Sequence, residues 1–454
     1  MGIMYAKFSF LFNHNLTLLL QGTRKKTRAP EQPGLGILRQ MELIKLENIL
    51  EASLNPTEPE HLRLKASLEK NAQEIGWEQV EAFMYNNLSK PVLKALESLP
   101  FYKDNEAWFL NQENGSCGLP AFMVAQNLIR ISYKKGIPAA IRYFRKMTSL
   151  PYADGYITNL LLGIDIAESF DIYQDIKIVK IDDIPDSNSK DFYISDENKW
   201  HFNNPHSTMV HKPKCALLKK IRIEPLIFNL RNEPKNKNPL KNNQLFKEIA
   251  LLLTLVGPSP ALTSLYWFAF EDTDLQNLGH GGGSWYNHEI LPPSFFDNLP
   301  IATKSIGKTV KSFFEITDEK IKRRILVSLE RLNFSLRRRN YGDAALEISI
   351  ALETIFAEDY GENTFKIGLR VALLIGCDFD QRKRIRSVIA ALYKQRSQLV
   401  HRGEFKNKVK IKGFDSIESN ELIKESAKYV AQSIKEIIRL KTIPDWNEYE
   451  LGNK

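Results

Sequence analysis

The chain has 454 residues, 43% hydrophobic and 26% charged, which excludes a fibrous or wholly disordered protein and suits two or three folded domains. A formal net charge of +9 favours an anionic partner. Cys117, Cys215 and Cys377 lie far apart with no paired spacing, which argues against a disulfide framework and a Cys-based zinc site and fits a reducing cytoplasm.

No run of 18 apolar residues occurs, so no transmembrane helix and no membrane partner are expected. Residues 1–40 read as a leader. Phe8 to Leu20 is apolar but interrupted by Asn13, His14 and Asn15. Arg24-Lys25-Lys26 follows that stretch instead of preceding it, the reverse of a signal peptide. Residues 22–40 are rich in Gly, Pro and Arg, which fits either a disordered leader or a start placed too far upstream.

Residues 41–150 read as a helical N-terminal region. Leu43, Leu46, Leu50 and Leu54 recur at helical spacing, and Asn55-Pro56 ends that helix. Glu60 to Asn87 reads as one or two more helices, with Leu64, Leu68, Ile75, Val80 and Phe83 apolar. Asn114-Gly115-Ser116-Cys117-Gly118 reads as a turn, since no Lys-Ser/Thr follows to make it a phosphate loop. Phe122–Tyr133 and Ile137–Met147 are further helices.

Residues 151–317 read as a small mixed α/β region. Ile172–Ile181, Ile221–Ile223 and Leu226–Phe228 are β-branched or apolar and read as strands, and Asp182–Lys199 as a loop. His201, His206 and His211 recur every five residues, which puts them on no single face of a helix or strand, so a metal site is not expected there. Residues 231–243 are a polar linker. Leu245–Val256 is a buried helix, stopped by Gly257-Pro258. Leu265-Tyr266-Trp267-Phe268-Ala269-Phe270 reads as core, and His280 to His288 as a surface loop whose glycines would also let a ligand approach.

From Asp318, a candidate N-cap, five helices follow at about 318–339, 342–358, 364–376, 380–402 and 417–441. Their short connections predict an up-down helical bundle over 318–442, with 443–454 as a tail. The expected fold class is therefore mainly α with a small mixed α/β middle region and a C-terminal up-down bundle. Basic runs crowd this part: Lys322-Arg323-Arg324, Arg337-Arg338-Arg339, Arg382-Lys383-Arg384 and Lys406 to Lys412. Solvated faces explain most such runs, but several beside one Arg/His pair suit a phosphate backbone.

That pair is Arg396 and His401, at the end of the fourth helix. A regular helix sets positions i and i+5 about 140° apart, so one rigid helix cannot aim both at one small target. Fraying near Val400, ahead of Gly403, would let His401 swing toward Arg396. A second copy packed by symmetry would also join an Arg to a His.

Arg396, four residues and His401 match the R-x4-6-H motif, and this part of the chain resembles the Apea-like HEPN domains, many of which are metal-independent ribonucleases. Ala345 to Phe356 is similar to the family's second helix, Thr364 to Gly376 to its third, and Arg396-Ser397-Gln398-Leu399-Val400-His401-Arg402-Gly403 to the end of its fourth. The resemblance covers about residues 318–442. It implies a bundle of the HEPN type, a homodimer whose two motifs face one cleft, RNA as substrate, no metal or other cofactor, and a role in antiphage defence or abortive infection. The N-terminal region would then sense a trigger.

The chemistry suits the residue types. RNA carries its own nucleophile, the 2′-OH, so a protein need only move protons and stabilise a crowded anionic phosphorane. A histidine does the first near neutral pH. An arginine stays cationic and offers forked donors for the second. His401 is thus assigned as acid/base, Arg396 as transition-state stabiliser, and Arg402 and Lys394 as substrate contacts. Glu347 and Glu353, on the second bundle helix, stand either as orienting carboxylates or as ordinary ion-pair partners.

Overall fold

A computed structural model describes residues 40–54, 90–103, 107–112, 115–194, 213–231, 233–234, 241–278, 299–357 and 364–452. The expectations for the leader, for Glu60–Asn87, for His201, His206 and His211, and for His280–His288 lie outside those residues.

The N-terminal part holds α1 (Gln40–Leu54), a helical stretch over 90–97, and α2 (Pro100–Lys103). It continues with β1 (Trp108–Gln112), β2 (Gly115–Gly118), α3 (Ala121–Lys135) and α4 (Ile137–Ser149). Two strands therefore interrupt a region expected to be helical, and Gly115–Gly118, expected in a turn, is one of them. Leu46, Leu50, Val124, Leu128, Tyr143 and Phe144 form its core.

The middle part holds β3 (Ala153–Leu162), β4 (Asp165–Ile166), β5 (Phe170–Tyr173), β6 (Ile176–Lys180), α5 (Asn188–Ile194), β7 (Cys215–Ile223) and β8 (Ile227–Asn229). It continues with α6 (Lys241–Leu253), β9 (Leu262–Phe270), β10 (Ile301–Ala302) and α7 (Ser305–Phe314). Five strands pair antiparallel in the order β5-β6-β7-β3-β9, and β8 joins the β1–β2 hairpin.

This sheet is buried on both faces. Ile157, Leu161, Leu217 and Phe268 face the main core, while Leu160, Ala216, Leu218 and Trp267 face a second cluster beneath Tyr193 of α5. A strand covered on both sides reads as a near-continuous apolar run, without the alternation that marks a half-buried strand. The expected loop over Asp182–Lys199 contains α5 for the same reason: Tyr193 closes the sheet's outer face.

The C-terminal part holds α8 (Glu319–Arg337), α9 (Tyr341–Phe356), α10 (Thr364–Ile375), α11 (Phe379–Arg402), β11 (Lys408–Lys410), β12 (Ser416–Glu418), α12 (Ser419–Leu440) and α13 (Trp446–Glu450). Local chemistry fixes the helix starts. The Asp318 carboxylate accepts from the Lys320 and Ile321 amides at 2.8 and 3.3 Å, Asn340 caps α9, and Asp378 caps α11. Gly403 ends α11 at φ 67°, where its amide donates to the Leu399 carbonyl. In the segment expected as a tail, Trp446 is fully buried against Phe356.

The expected fold class is corrected on two points. The middle is built on a five-stranded antiparallel sheet, with strands reaching into the N-terminal part. The C-terminal part is no simple up-down bundle, since the β11–β12 hairpin is inserted between α11 and α12 and α13 closes one end. One buried core runs from Leu46 through the sheet to Trp446. The buried amide of Asn333 on α8 donates to Thr254 Oγ1 and the Ala261 carbonyl, both at 2.9 Å, and ties the helices to the middle part. No described helix is long and apolar enough to cross a membrane.

Candidate functional site

The apolar stripe of α11 sets its orientation. Ile385, Val388, Ile389, Leu392 and Tyr393 are buried, so the polar residues between them line the rim of the bundle. The helix stays regular through Arg402, which removes fraying as a way of bringing His401 to Arg396. In one chain the two side chains diverge by about 140°.

Arg396 is half-buried and donates from Nη1 to Glu353 Oε1 of α9 at 2.5 Å. Its guanidinium lies 5.7 Å from the ring centre of Tyr393, one turn earlier. The Tyr393 hydroxyl donates to the Ser349 carbonyl at 3.4 Å. Burial, with the Glu353 charge, pushes that phenol well above its usual range, against the pull of Arg396. Tyr393 is therefore a neutral donor and a packing surface for Arg396.

Glu347 does something else. Its side chain is only 7% exposed and is gripped by Arg331 at 3.2 Å and Arg338 at 2.5 Å, both from the α8 side. Arg331, Arg337 and Arg338 all approach the Phe334 ring, at 5.9, 4.6 and 5.9 Å. Burial, assisted by Arg338 and opposed by Glu347, lowers the Arg337 pKa to about 10. Glu347 is thus an ion-pair partner of the α8 arginines, the other of the two roles open to these carboxylates. Of the two carboxylates, Glu353 is the one bonded to Arg396.

His401 is exposed in the last turn of α11, and its side chain has no hydrogen-bond or ion-pair partner among the described residues. Arg402 and Lys394 are exposed as well. Leu399 packs on Gly342 so closely that a methyl group on that glycine would meet Leu399 Cδ2 at 2.6 Å. The His401 turn therefore abuts the α8–α9 corner, where Arg338 and Arg339 lie next to Tyr341, which is 47% exposed.

The other basic runs divide sharply. Arg324 donates to the carbonyls of Thr354, Ile355 and Ala357 and so closes the end of α9. Lys322 pairs with Glu319, Arg382 donates to the Gly376 carbonyl, Arg384 pairs with Glu425, and Arg386 stacks 4.2 Å from the Phe365 ring centre. By contrast Lys406, Lys408, Lys410 and Lys412 are all exposed, and none has a side-chain hydrogen bond or ion pair among the described residues. The signal for this arrangement is in the sequence: Lys408 and Lys410 alternate with Val409 and Ile411, the period of a strand.

A cavity of about 120 Å³ lies on the outer face of the sheet, between Tyr156, Thr158, Trp267, Glu271 and the 185–187 segment; no lining residue belongs to the C-terminal helices. Among the described residues no three His, Cys, Asp or Glu side chains gather as a metal site. Cys117, Cys215 and Cys377 are free thiols. Compared with known proteins, the chain matches no family model, no curated protein and no solved structure.

Proposed function

We propose that the protein is a metal-independent endoribonuclease whose working groups are His401 and Arg396, and that it acts as a homodimer through its C-terminal helices. The observation that carries the reading is His401, exposed and without a side-chain partner among the described residues, five positions beyond an arginine locked in place by Glu353. The R-x4-6-H resemblance gives that pair its chemical meaning.

One chain cannot direct both groups at a single phosphate, so the site is composite across a two-fold. Two copies supply two histidines and two arginines. One His401 takes the proton of the 2′-OH as its oxygen bonds to phosphorus. The partner's His401 gives a proton to the 5′-oxygen as the P–O5′ bond breaks. Arg396 faces the phosphorane oxygens with donors already oriented by the Glu353 contact. The products are a 2′,3′-cyclic phosphate and a 5′-hydroxyl. Arg402 and Lys394 hold flanking phosphates. The reading includes a cytoplasmic setting, a defence role of the kind the resemblance implies, and sensing by the N-terminal and middle parts.

A second reading has its own observation. Glu353 already neutralises Arg396, which suits a non-catalytic RNA-binding module in which the arginine only braces α9 against α11. The deciding experiment is end-mapped cleavage of total RNA in EDTA. His401→Ala is expected to keep the fold by circular dichroism and to lose about 10²-fold or more of the cleavage rate. Arg396→Lys is expected to be poor too, because an ammonium lacks the fork. A folded His401→Ala protein that cuts as fast as the parent, or a parent fully active as a monomer, defeats the composite site.

A further inference from the structure

The row of lysines after α11 calls for a partner, because the described residues provide none. Lys406, Lys408, Lys410 and Lys412 are exposed and unpaired among the described residues, whereas Arg324, Arg382, Arg384 and Arg386 of the neighbouring helices bond to carboxylates, carbonyls or rings. Between Lys406 and Glu418 the hairpin carries these four cations against Asp415 and Glu418, a net of +2. Glu418 stands opposite Lys408 in the strand register and Ser416 opposite Lys410, yet neither lysine makes an ion pair among the described residues.

The row is also rigidly mounted. Gln395 is buried and brackets Lys406, donating to its carbonyl at 3.2 Å and accepting from its amide at 3.4 Å. The Ser419 hydroxyl donates to the same carbonyl. Val409 and Ile411 are buried with Val388, Ala391 and Leu422, which turns the lysines outward. At the far end, a methyl group on Gly413 would lie 3.6 Å from Lys383 Cε of α11. The chain thus doubles back along α11, from beside Gln395 toward Lys383. That is about 18 Å of helix at 1.5 Å per residue.

We propose that the hairpin is a track for an extended single strand of RNA, leading its backbone to the Arg396–His401 end of α11. This rests on the reading that RNA is the substrate. Lys408 and Lys410 are alternate residues of β11 and stand about 6.8 Å apart on one face. That repeat is comparable with the separation of successive phosphates along a stretched single strand. A file one lysine wide engages one backbone and leaves a duplex's second strand without contact. The contacts are ammonium to phosphate, so the track is indifferent to base sequence and sensitive to salt.

The probe is a labelled 12-nucleotide 2′-O-methyl uridine oligomer, which lacks the attacking hydroxyl and cannot be cut. Its binding is followed by anisotropy across a salt series, beside a duplex of the same length and vesicles of phosphatidylserine. Changing all four lysines to Gln is expected to weaken oligomer binding at least tenfold. The salt slope should fall by about 2 to 3, at roughly 0.7 for each phosphate no longer neutralised. Lys308→Gln, at an exposed lysine of α7, is expected to change neither. Unaltered binding by the quadruple variant overturns the track, and so does equal affinity for the duplex, or binding to vesicles without binding to the oligomer. Cleavage of unmodified RNA by the parent protein, run in parallel, separates the two ideas. If the parent cuts RNA and the lysines are irrelevant, only the track fails. If the parent neither binds nor cuts, the ribonuclease reading fails with it.

Discussion

The cations of α8, α10 and α11 and those of the β11–β12 hairpin look alike in the sequence and differ in what they do. Arg324, Arg331, Arg338, Arg370, Arg384 and Arg396 each meet a carboxylate or a helix-end carbonyl. The side chains of Lys406, Lys408, Lys410 and Lys412 are exposed and make no hydrogen bond or ion pair among the described residues. The difference is partly chemical. A guanidinium has five donors in a fixed fork and can satisfy several acceptors while buried, whereas an ammonium is compact, strongly hydrated and better left in water. The engaged cations should therefore govern stability and leave RNA affinity alone, and the hairpin lysines should do the reverse.

The largest effect expected from this contrast is at Arg370. Its side chain is wholly buried, with Nε to Glu450 at 2.7 Å and Nη1 to the Phe356 carbonyl at 2.6 Å. Arg370→Met fills similar space but leaves both acceptors without that donor. It should lower the unfolding free energy by about 3 kcal/mol, the lower part of the range for breaking a buried pair, because Glu450 can reach water. Urea denaturation measures it. A loss under about 1 kcal/mol would show that the pair is dispensable, and a parallel loss of RNA affinity would break the division drawn above.

Glu347→Gln comes next. It leaves Arg331 and Arg338 beside Arg337 without their shared carboxylate, and about 1.5 kcal/mol of stability should go with the charge-assisted bonds. Glu353→Gln should be milder in stability, since that side chain is 36% exposed, but it should alter cleavage by loosening Arg396. If the two variants behave alike in the cleavage assay, the distinction between the two carboxylates fails.

The same contrast shows what a sequence can reveal. Helices α8 and α11 were legible because each has an apolar stripe at helical spacing, and their ends because Asp318 and Gly403 are local signals that need no tertiary contact. Strands β3 and β9 were not, since burial on both faces removes the alternation. At the candidate site, the sequence singles out Arg396 and His401 by their spacing, but it does not say which neighbours Glu347 and Glu353 meet. They sit six residues apart, which turns them about 120° around α9, so one faces the α8 side and the other α11. Which neighbour stands on which side is tertiary information. The regularity of α11 up to Arg402 is likewise a property of its packing on Gly342, not of the motif.

The smallest effect is the most informative about where the two classes of cation meet. Arg384 is an engaged cation that also props the hairpin: it donates to Glu425 at 3.0 and 2.8 Å, and its guanidinium lies 5.1 Å from the ring centre of Phe414. Tyr429 donates to the same carboxylate at 2.5 Å. Burial alone would raise the Glu425 pKa, but the Arg384 and Tyr429 bonds outweigh it and hold the carboxyl below its ordinary value of 4.5. A carboxyl with a depressed folded pKa binds protons first in the unfolded chain. Its contribution is thus complete above the unfolded value and fades as pH falls through the folded one. At pH 7 the parent should exceed Glu425→Gln by under about 1 kcal/mol, because the pair is partly solvated. That gap should narrow below pH 4.5, as the parent's own carboxylate takes up its proton. Amide exchange at Val409 and Ile411 should quicken in the variant at pH 7, since their strand leans on Phe414 and the Arg384 contact. Weaker oligomer binding by Glu425→Gln, with all four lysines intact, would tie hairpin order to the track. A stability gap that does not change with pH would show that the Glu425 charge does not hold the hairpin.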